Sequence, residues 1–322
     1  LWKFRTDTHE AVARVELGSF PATVQVSPDG WYAWVVNFNL HGDMVRDIGV
    51  LQPPQSGKDM RLSIDLRLQF LQHRELQRAV TALGAESGTV VTLDAHTGEV
   101  LAMVNYPVYN PNGEKVGSPE GMRNRAITDV YEPGSTMKSL TMVAALESGR
   151  FTPETMIETS PGRIRVGPKV YPDPRNYGLI SVTRVLQKSS QVGVTKIALD
   201  LGHEPIREVF HRFGIGQPPN SGFPGESAGD LPNRARWYAT EKVSLAFGYG
   251  ITATPLQLAH AYSVFANGGV QQPVSLLALD GELPAGKRRI STDTAEQRLA
   301  MLHAVTGDEG TARKARVPGY QV

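Results

Sequence analysis

The sequence predicts a helix-rich α/β (α+β) domain arranged around an antiparallel sheet. Residues 87–107, SGTVVTLDAHTGEVLAMVNYP, hold two runs rich in β-branched residues on either side of DAHTGE, a pattern typical of a β-hairpin. From Asp65, a suitable N-cap, apolar residues recur at helical spacing. Residues 254–269 begin with Thr-Pro and end with Asn-Gly-Gly, the usual start and stop signals of a helix.

Three more helices are predicted from the spacing of apolar residues, and two loops from their composition. The helices cover residues 135–149, residues 181–202 with a polar interruption at 188–191, and about 291–305. The segments 108–134 and 219–233 are rich in Pro, Gly and Asn and are predicted to be surface loops. The final stretch, GTARKARVPGYQV, is expected to enter a strand.

The composition is that of an ordinary globular protein and narrows the classes of function. The 322 residues can form one large domain plus a smaller appendage, and a formal net charge of +1 gives no reason to expect nucleic acid as a partner. The absence of cysteine excludes disulfides and thiol nucleophiles. The eight histidines form no pair at helical ligand spacing, so we expect neither a metal nor a cofactor. No apolar run is long enough to span a bilayer; the chain is expected to be soluble, with any membrane anchor outside it.

The N-terminal residues have a different pattern. Residues 22–39 alternate apolar and polar side chains around Ser-Pro-Asp-Gly, which predicts a β-hairpin. VSPDG and AWVVN resemble one repeat of the Tyr-Val-Thr-Asn type of β-propeller, although no second copy is present. The alternative is a β-rich module of the main protein. We therefore divide the chain into a β segment at 1–44, a linker with a short strand at 45–64, and the main domain at 65–322.

The stretch YEPGSTMKSL, residues 131–140, carries the strongest chemical signal. Ser135 and Lys138 are three residues apart and so share one face of a helix. A serine becomes nucleophilic only when a base takes its proton, and burial would lower the pKa of a lysine toward that role. On the first helical turn, backbone N–H groups and the helix dipole favour a developing oxyanion. The same pattern also fits an N-cap serine followed by a surface lysine.

Three stretches together resemble the class B penicillin-binding proteins. EPGSTMKSL, the upstream VVTLDAHTGEVLAMVN and the downstream FGYGITATPLQLAHAYSVFANGG are similar in particular to the cell-division (septal) D,D-transpeptidases that cross-link peptidoglycan. This superfamily combines S-x-x-K with S-D-N and K-T-G elements. The resemblance runs from about Val45 to Val322. It implies the fold shared by penicillin-binding transpeptidases and serine β-lactamases.

The resemblance also implies roles for individual residues. Ser135 would be acylated by the D-Ala-D-Ala stem peptide or by a β-lactam, with Lys138 as its base. Peptidoglycan stem peptides and β-lactams would be the partners, with divisome proteins as further ones. The setting would be the periplasmic face of a bacterial inner membrane.

The second motif of the family, Ser-x-Asn, aligns with Ser189-Ser190-Gln191. Ser189 would relay a proton to the leaving group, while Ser190 and Lys188 would contact the substrate. Gln191 stands where asparagine is usual; its amide offers the same donors and acceptor one methylene further out. A displacement of about 1 Å can cost ~10²-fold in rate. We therefore expect Gln191 to keep the role of the asparagine, with the activity tuned or weakened.

The third motif, Lys-Thr-Gly, is absent from the 322 residues. We therefore expect a domain truncated at its C-terminus, slow in acylation because one oxyanion donor is missing. Two alternatives remain. One is a serine β-lactamase or carboxypeptidase, for which Glu132 and Glu226 are the nearest candidates for a deacylating carboxylate. The other is a non-catalytic fragment or binding module of the same fold.

Overall fold

The computed structural model describes four strands within residues 2–37, residue 57, and residues 59–110 and 119–320. The chain divides into two units, Leu1–Asp59 and Met60–Val322. In the first unit, β1 (Trp2–Phe4) pairs with β2 (Ala11–Arg14), and β3 (Pro21–Val26) pairs with β4 (Ala33–Asn37), both antiparallel. The strands predicted in residues 22–39 are thus present; the Ser-Pro-Asp-Gly turn lies outside the described residues. The propeller interpretation and the boundaries at 44 and 64 stay predictions.

The second unit begins with a helix and a hairpin that match the sequence signals. Helix α1 (Leu66–Leu83) starts where the Asp65 carboxylate accepts hydrogen bonds from the backbone of Arg67 and Leu68. It packs on the antiparallel hairpin of β5 (Gly88–Leu93) and β6 (Val100–Tyr106). Every second residue from Val100 to Val104 is buried, as expected for a strand with one face on the core.

The rest of the unit is mainly helical, with short antiparallel strand pairs on its surface. The helices are α2 (Pro119–Met122), α3 (Arg125–Thr128), α4 (Lys138–Glu147), α5 (Val182–Gln187), α6 (Gln191–Leu201), α7 (His203–Arg212), α8 (Ala239–Ala246), α9 (Pro255–Ala266) and α10 (Thr292–Thr306). The strands are β7 (Met156–Glu158) with β10 (Leu179–Ser181), β8 (Arg163–Val166) with β9 (Lys169–Pro172), and β11 (Val270–Gln271) with β12 (Lys287–Arg288). The predicted α/β class is confirmed.

Helix α4 forms the centre of the core. All residues from Lys138 to Ala145 are buried, so the helix is enclosed on every side. It packs against α5, α6, α7 and α10. A lysine at the start of such a helix therefore enters an apolar environment. None of the helices in the described residues is long and apolar enough to cross a bilayer.

The start of helix α4 differs from the prediction. Residues Gly134–Met137 form a 3₁₀ turn, and the α-helix begins only at Lys138. Gly134 has a φ of 61°, and its N–H donates to the carbonyl of Gly248, 3.1 Å away. The 3₁₀ turn is thus hydrogen-bonded to a segment far along the chain. A single-sequence pattern carries no trace of that contact.

Two further expectations are wrong. Within the predicted loop 108–134, the described residues include α2 and α3, and Ala126 and Ile127 are fully buried against Val100 and Leu256. Because most of the neighbouring residues in the sequence are polar, the composition predicted a surface loop and not this small apolar cluster. The final stretch does not enter a strand up to Tyr320: it contains turns and a 3₁₀ helix at Arg313–Ala315. The predicted helix at 181–202, with its break, and those at 254–269 and 291–305 are confirmed.

The close approach of Gly248 to Gly134 can be tested by stability. A Cβ on Gly248, at a φ of 77°, would lie 2.4 Å from the Gly134 carbonyl oxygen and 2.6 Å from Met137 Cγ. We expect Gly248→Ala to lower the free energy of unfolding by roughly 2–4 kcal/mol in urea titrations. Gly250→Ala is the matched control, because Gly250 has a φ of 72° with no atom within 4 Å of its Cβ. It should cost only about 1 kcal/mol; equal losses would exclude the steric explanation.

Candidate active site

Ser135 lies on the 3₁₀ turn with its side chain exposed. In a 3₁₀ helix, residues i and i+3 stand directly above one another, so Lys138 follows on the same side. The segment entering the turn is fixed by a two-way backbone bridge between Tyr131 and Ala253, with both N–O distances 3.1 Å. Ser135, the candidate nucleophile, therefore lies on a turn whose preceding segment is fixed by backbone hydrogen bonds to Ala253.

A second anchor reaches the turn from α9. The hydroxyl of Tyr262 lies 2.7 Å from the carbonyl oxygen of Thr136, to which it donates, and 2.9 Å from Ser139 Oγ. Inside the core, Thr141 Oγ1 donates to the carbonyl oxygen of Ala246 at 2.9 Å. These contacts join the α4 region to the end of α8 and to α9. The position of Ser135 thus depends on residues more than a hundred positions away in the chain.

Lys138 is 1% exposed and points its ammonium at Ser189. Its Nζ donates to the Ser189 carbonyl oxygen at 2.7 Å and lies 2.9 Å from Ser189 Oγ, with the Phe247 ring centroid 5.4 Å away. Burial lowers the pKa of Lys138 from 10.5 to about 8, and the negative charge of Asp173 opposes this shift. With a pKa of about 8, Lys138 is neutral in roughly one-tenth of the protein molecules at pH 7.

The structure joins Lys138 to Ser189 by hydrogen bonds, and not to Ser135. Among the described residues, no hydrogen bond joins Ser135 Oγ to Lys138 Nζ, while two join Lys138 to Ser189. The surface-lysine interpretation of the S-x-x-K pattern is wrong, since the ammonium is buried. The Lys138 ammonium is therefore bound by Ser189, and the exposed Ser135 lies three residues earlier in the chain.

Ser189 adopts a backbone conformation that usually requires glycine. Its φ is 53°, in the left-handed region. The N–H of Ser189 donates to the carbonyl of Leu186, and that of Ser190 to the carbonyl of Val185, both at 2.9 Å, which is the Schellman pattern that ends a helix. In this conformation, a residue with a Cβ atom destabilises the folded state by roughly 1–2 kcal/mol relative to glycine. Because strain of this kind is concentrated at functional sites, its presence favours a role for the Ser189 hydroxyl.

The other residues of the second motif make contacts within the protein. Ser190 Oγ is buried, accepts from the N–H of Gly193 at 2.9 Å and donates to Asp173 Oδ2 at 2.6 Å. The Lys188 ammonium donates to the carbonyl oxygen of Glu309 at 2.6 Å and pairs with its carboxylate at 3.3 Å. The structure therefore brings Ser189 to Lys138 and leaves Ser190 and Lys188 in internal contacts. Their contact with substrate stays a prediction.

Gln191 is the first residue of α6 and lines a cleft of about 540 Å³. Tyr171, Trp237 and Tyr249 contribute aromatic walls to the same cleft, and Glu132 lies at its edge. Glu132 Oε1 accepts from the N–H of Gly250 at 2.7 Å. Gln191 therefore faces a space large enough for a peptide side chain.

Two further observations concern carboxylates. Glu226 accepts hydrogen bonds from the N–H groups of Asn220 and Ser221, so it holds its own loop together. Asp173, by contrast, reaches the second motif, and the sequence analysis missed it. Its setting, KVYPDPRN, is that of an ordinary proline-rich turn. No local signal marks it, because its partners are 17 to 19 residues further along the chain.

Comparison with known proteins identifies the family of this chain. The family model described as "Penicillin binding protein transpeptidase domain" matches residues 88–322. A probable peptidoglycan D,D-transpeptidase PbpC from Pseudomonas aeruginosa is 40% identical over 287 residues, which cover 89% of this chain and 51% of that protein. The peptidoglycan D,D-transpeptidase FtsI of Escherichia coli is 39% identical over 288 residues, 89% of this chain and 48% of the relative.

A solved structure shows the same fold. The TP domain of penicillin-binding protein 3 from Burkholderia pseudomallei superposes with a TM-score of 0.74 at 36% identity, over 83% of this chain and 76% of that one. The fold implied by the sequence resemblance is thereby confirmed. The chain spans about half the length of the curated relatives named above.

The left-handed backbone at Ser189 gives a test of stored strain. Ser189→Gly and Ser189→Ala both remove the hydroxyl, but only glycine accepts a φ of 53° without a steric penalty. We expect the glycine variant to be more stable than the alanine variant by about 1 kcal/mol in urea unfolding. Equal stability of the two variants would mean that the turn relaxes and stores no strain.

Proposed function

Because this chain belongs to the penicillin-binding protein transpeptidase domain family, we propose that it carries out serine acyl transfer on D-Ala-D-Ala stem peptides of peptidoglycan. The observation that carries the proposal is the buried Lys138, one turn after an exposed Ser135, with a pKa lowered to about 8. A lysine in ordinary surroundings would hold its proton at neutral pH and could not act as a base. The names of the relatives, peptidoglycan D,D-transpeptidases, support the same substrate class.

The proposed reaction has two halves. Ser135 Oγ attacks the carbonyl carbon of the penultimate D-Ala, and its proton passes to neutral Lys138 Nζ. As the tetrahedral intermediate collapses, the C–N bond breaks and the departing amine of the terminal D-Ala takes a proton through Ser189 Oγ. The hydrogen bond between Lys138 Nζ and Ser189 Oγ supplies that route. An amine of a second stem peptide then attacks the acyl-enzyme, and the proton transfers run in reverse.

A β-lactam would enter the same first step. Ser135 would open the lactam ring, and the amine produced would remain tethered to the acyl group, so the adduct would persist. Gln191 lines a cleft together with Phe247, whose ring centroid lies 5.4 Å from Lys138 Nζ. There its amide would hydrogen-bond the acyl chain in the place of the usual asparagine. Because the Gln191 side chain is longer, we expect it to change the rate of acylation while the type of reaction stays the same.

We place this reaction in septal cell-wall synthesis at the periplasmic face of a bacterial inner membrane, with divisome proteins as partners. The sequence resemblance to cell-division transpeptidases supports this setting, and the similar FtsI protein of Escherichia coli is a peptidoglycan D,D-transpeptidase. The chain covers 48% of that protein, so the assignment rests on the shared transpeptidase domain.

Labelling with a fluorescent penicillin tests the proposal. We expect one label per chain, located on Ser135 by peptide mass analysis, and loss of at least ~10³-fold in labelling rate with Ser135→Ala. Ser148→Ala is the control, because Ser148 lies exposed at the other end of α4 and bonds only within its own turn region. Its labelling rate should match that of the unsubstituted chain.

The other outcomes distinguish the alternatives. Rapid release of opened β-lactam, instead of a stable adduct, would indicate a serine hydrolase. An unlabelled chain with helical circular dichroism and a cooperative unfolding transition would indicate a non-catalytic module. A label that persists after Ser135→Ala would contradict the role of Ser135.

A further inference from the structure

Asp173 is a buried carboxylate that the proposed reaction does not use. It follows directly after β9, between Pro172 and Pro174, and is 9% exposed. Its N–H donates to the carbonyl oxygen of Gly162 at 2.8 Å, which fixes its backbone to the β8–β9 hairpin. A buried carboxylate is stable only where its oxygens have strong partners. Those partners lie on the turn that carries Ser189.

Both carboxylate oxygens bind the start of α6. Oδ2 accepts from Ser190 Oγ at 2.6 Å, and Oδ1 accepts from the N–H groups of Gln191 at 2.6 Å and Val192 at 3.2 Å. Ser190 already caps this helix through the N–H of Gly193. A helix of eleven residues thus has two side-chain caps at one end. The Ser190 cap alone is the usual arrangement at a helix start. The additional cap by Asp173 therefore suggests a role beyond the stability of α6.

The second cap clamps the turn around Ser189. On one side, the N–H of Ser189 is held by the carbonyl of Leu186 at the end of α5. On the other side, Asp173 holds Ser190 and Gln191. Ser189 is thereby kept in its left-handed conformation, with its carbonyl and hydroxyl oxygens both within hydrogen-bond distance of Lys138 Nζ. A displacement of about 1 Å in such a contact is enough to cost ~10²-fold in rate.

The charge of Asp173 also acts on Lys138. Burial favours the neutral amine of Lys138, and the Asp173 carboxylate favours the ammonium. Other charged groups near this turn have partners elsewhere: Lys188 pairs with Glu309, and Glu132 accepts from the N–H of Gly250. Within the part of the chain that the structure describes, Asp173 is thus the charge that opposes burial at Lys138. The Asp173 carboxylate therefore keeps the pKa of Lys138 higher than burial alone would leave it.

We propose that Asp173 is a positioning residue for acyl transfer: its carboxylate fixes the turn that presents Ser189 to Lys138, and its negative charge compensates the buried ammonium. The inference rests on the proposed function for its catalytic consequence, but its physical part concerns Lys138 and Ser189 alone. Asp173 itself touches neither substrate nor the reacting atoms.

Two substitutions separate charge from geometry. Asp173→Asn keeps the shape and the acceptor for the Gln191 and Val192 N–H groups but removes the charge. In NMR titrations of the full chain with ¹³C-labelled lysine, we expect the Lys138 midpoint to fall by at least roughly half a pH unit. Asp173→Glu keeps the charge but moves the carboxylate by about a methylene. We expect it to leave the midpoint in place and to slow penicillin labelling at least ~10-fold.

The control variant tests whether Asp173 acts only as an ordinary helix cap. Ser291→Ala removes the cap of α10 and should lower the thermal midpoint without moving the Lys138 titration. If Asp173→Asn does the same, or if Asp173→Glu labels at the unsubstituted rate, Asp173 is an ordinary helix cap and the inference is wrong. Should Asp173→Asn fail to fold, Asp173→Glu alone decides. Absence of labelling in the unsubstituted chain would overturn the proposed function, while the Asp173→Asn titration would still test the inference.

Discussion

The two hydrogen bonds from Lys138 to Ser189 are the interaction on which the site depends. They join the start of α4, which directly follows the 3₁₀ turn carrying Ser135, to the turn between α5 and α6. Each partner is unfavourable on its own: Lys138 is a cation almost removed from water, and Ser189 is a serine in a glycine conformation. Together the ammonium finds acceptors and the hydroxyl finds a base.

The fold around this pair serves mainly to hold it in place. Gly248 permits the 3₁₀ turn to lie close against the segment after α8, and Tyr262 fixes that turn from α9. Asp173 fixes the opposite turn from β9. Three separate elements, distant in the sequence, therefore determine where Ser135, Lys138 and Ser189 lie. Such an arrangement suits catalysis, because groups held by a rigid surround need little rearrangement when charge develops.

Features with local causes could be predicted from the sequence. The Asp65 cap, the hairpin at 87–107 and the Thr254–Pro255 helix start arise from residues within a few positions of one another. The break at 188–191 was visible as a polar interruption of an apolar helix pattern. Ser135 and Lys138 were singled out through the S-x-x-K spacing, supported by resemblance to a known family, and their catalytic roles stay a proposal. The cap, the hairpin, the helix start and the break have causes within a few residues, so the sequence was sufficient to predict them.

Features caused by distant contacts could not be predicted. The 3₁₀ start depends on Gly248, and the buried centre of α3 depends on β6 and α9. Asp173 looked like any turn residue, and nothing near Lys138 indicated that its ammonium would bind Ser189. The sequence also gives no measure of burial at a single side chain, and burial is what lowers the pKa of Lys138. The chemistry of the site is therefore a tertiary property.

The pKa of Lys138 in the folded, unsubstituted chain is the most direct test of this account. It can be measured by NMR titration of ¹³C-labelled lysine, with the Lys138 signal assigned by its loss in Lys138→Met. A midpoint near 8 is expected from burial against Phe247 and Ser189. A midpoint near 10.5, the value of a lysine in water, would mean that the ammonium is solvated and that Ser135 has no base beside it.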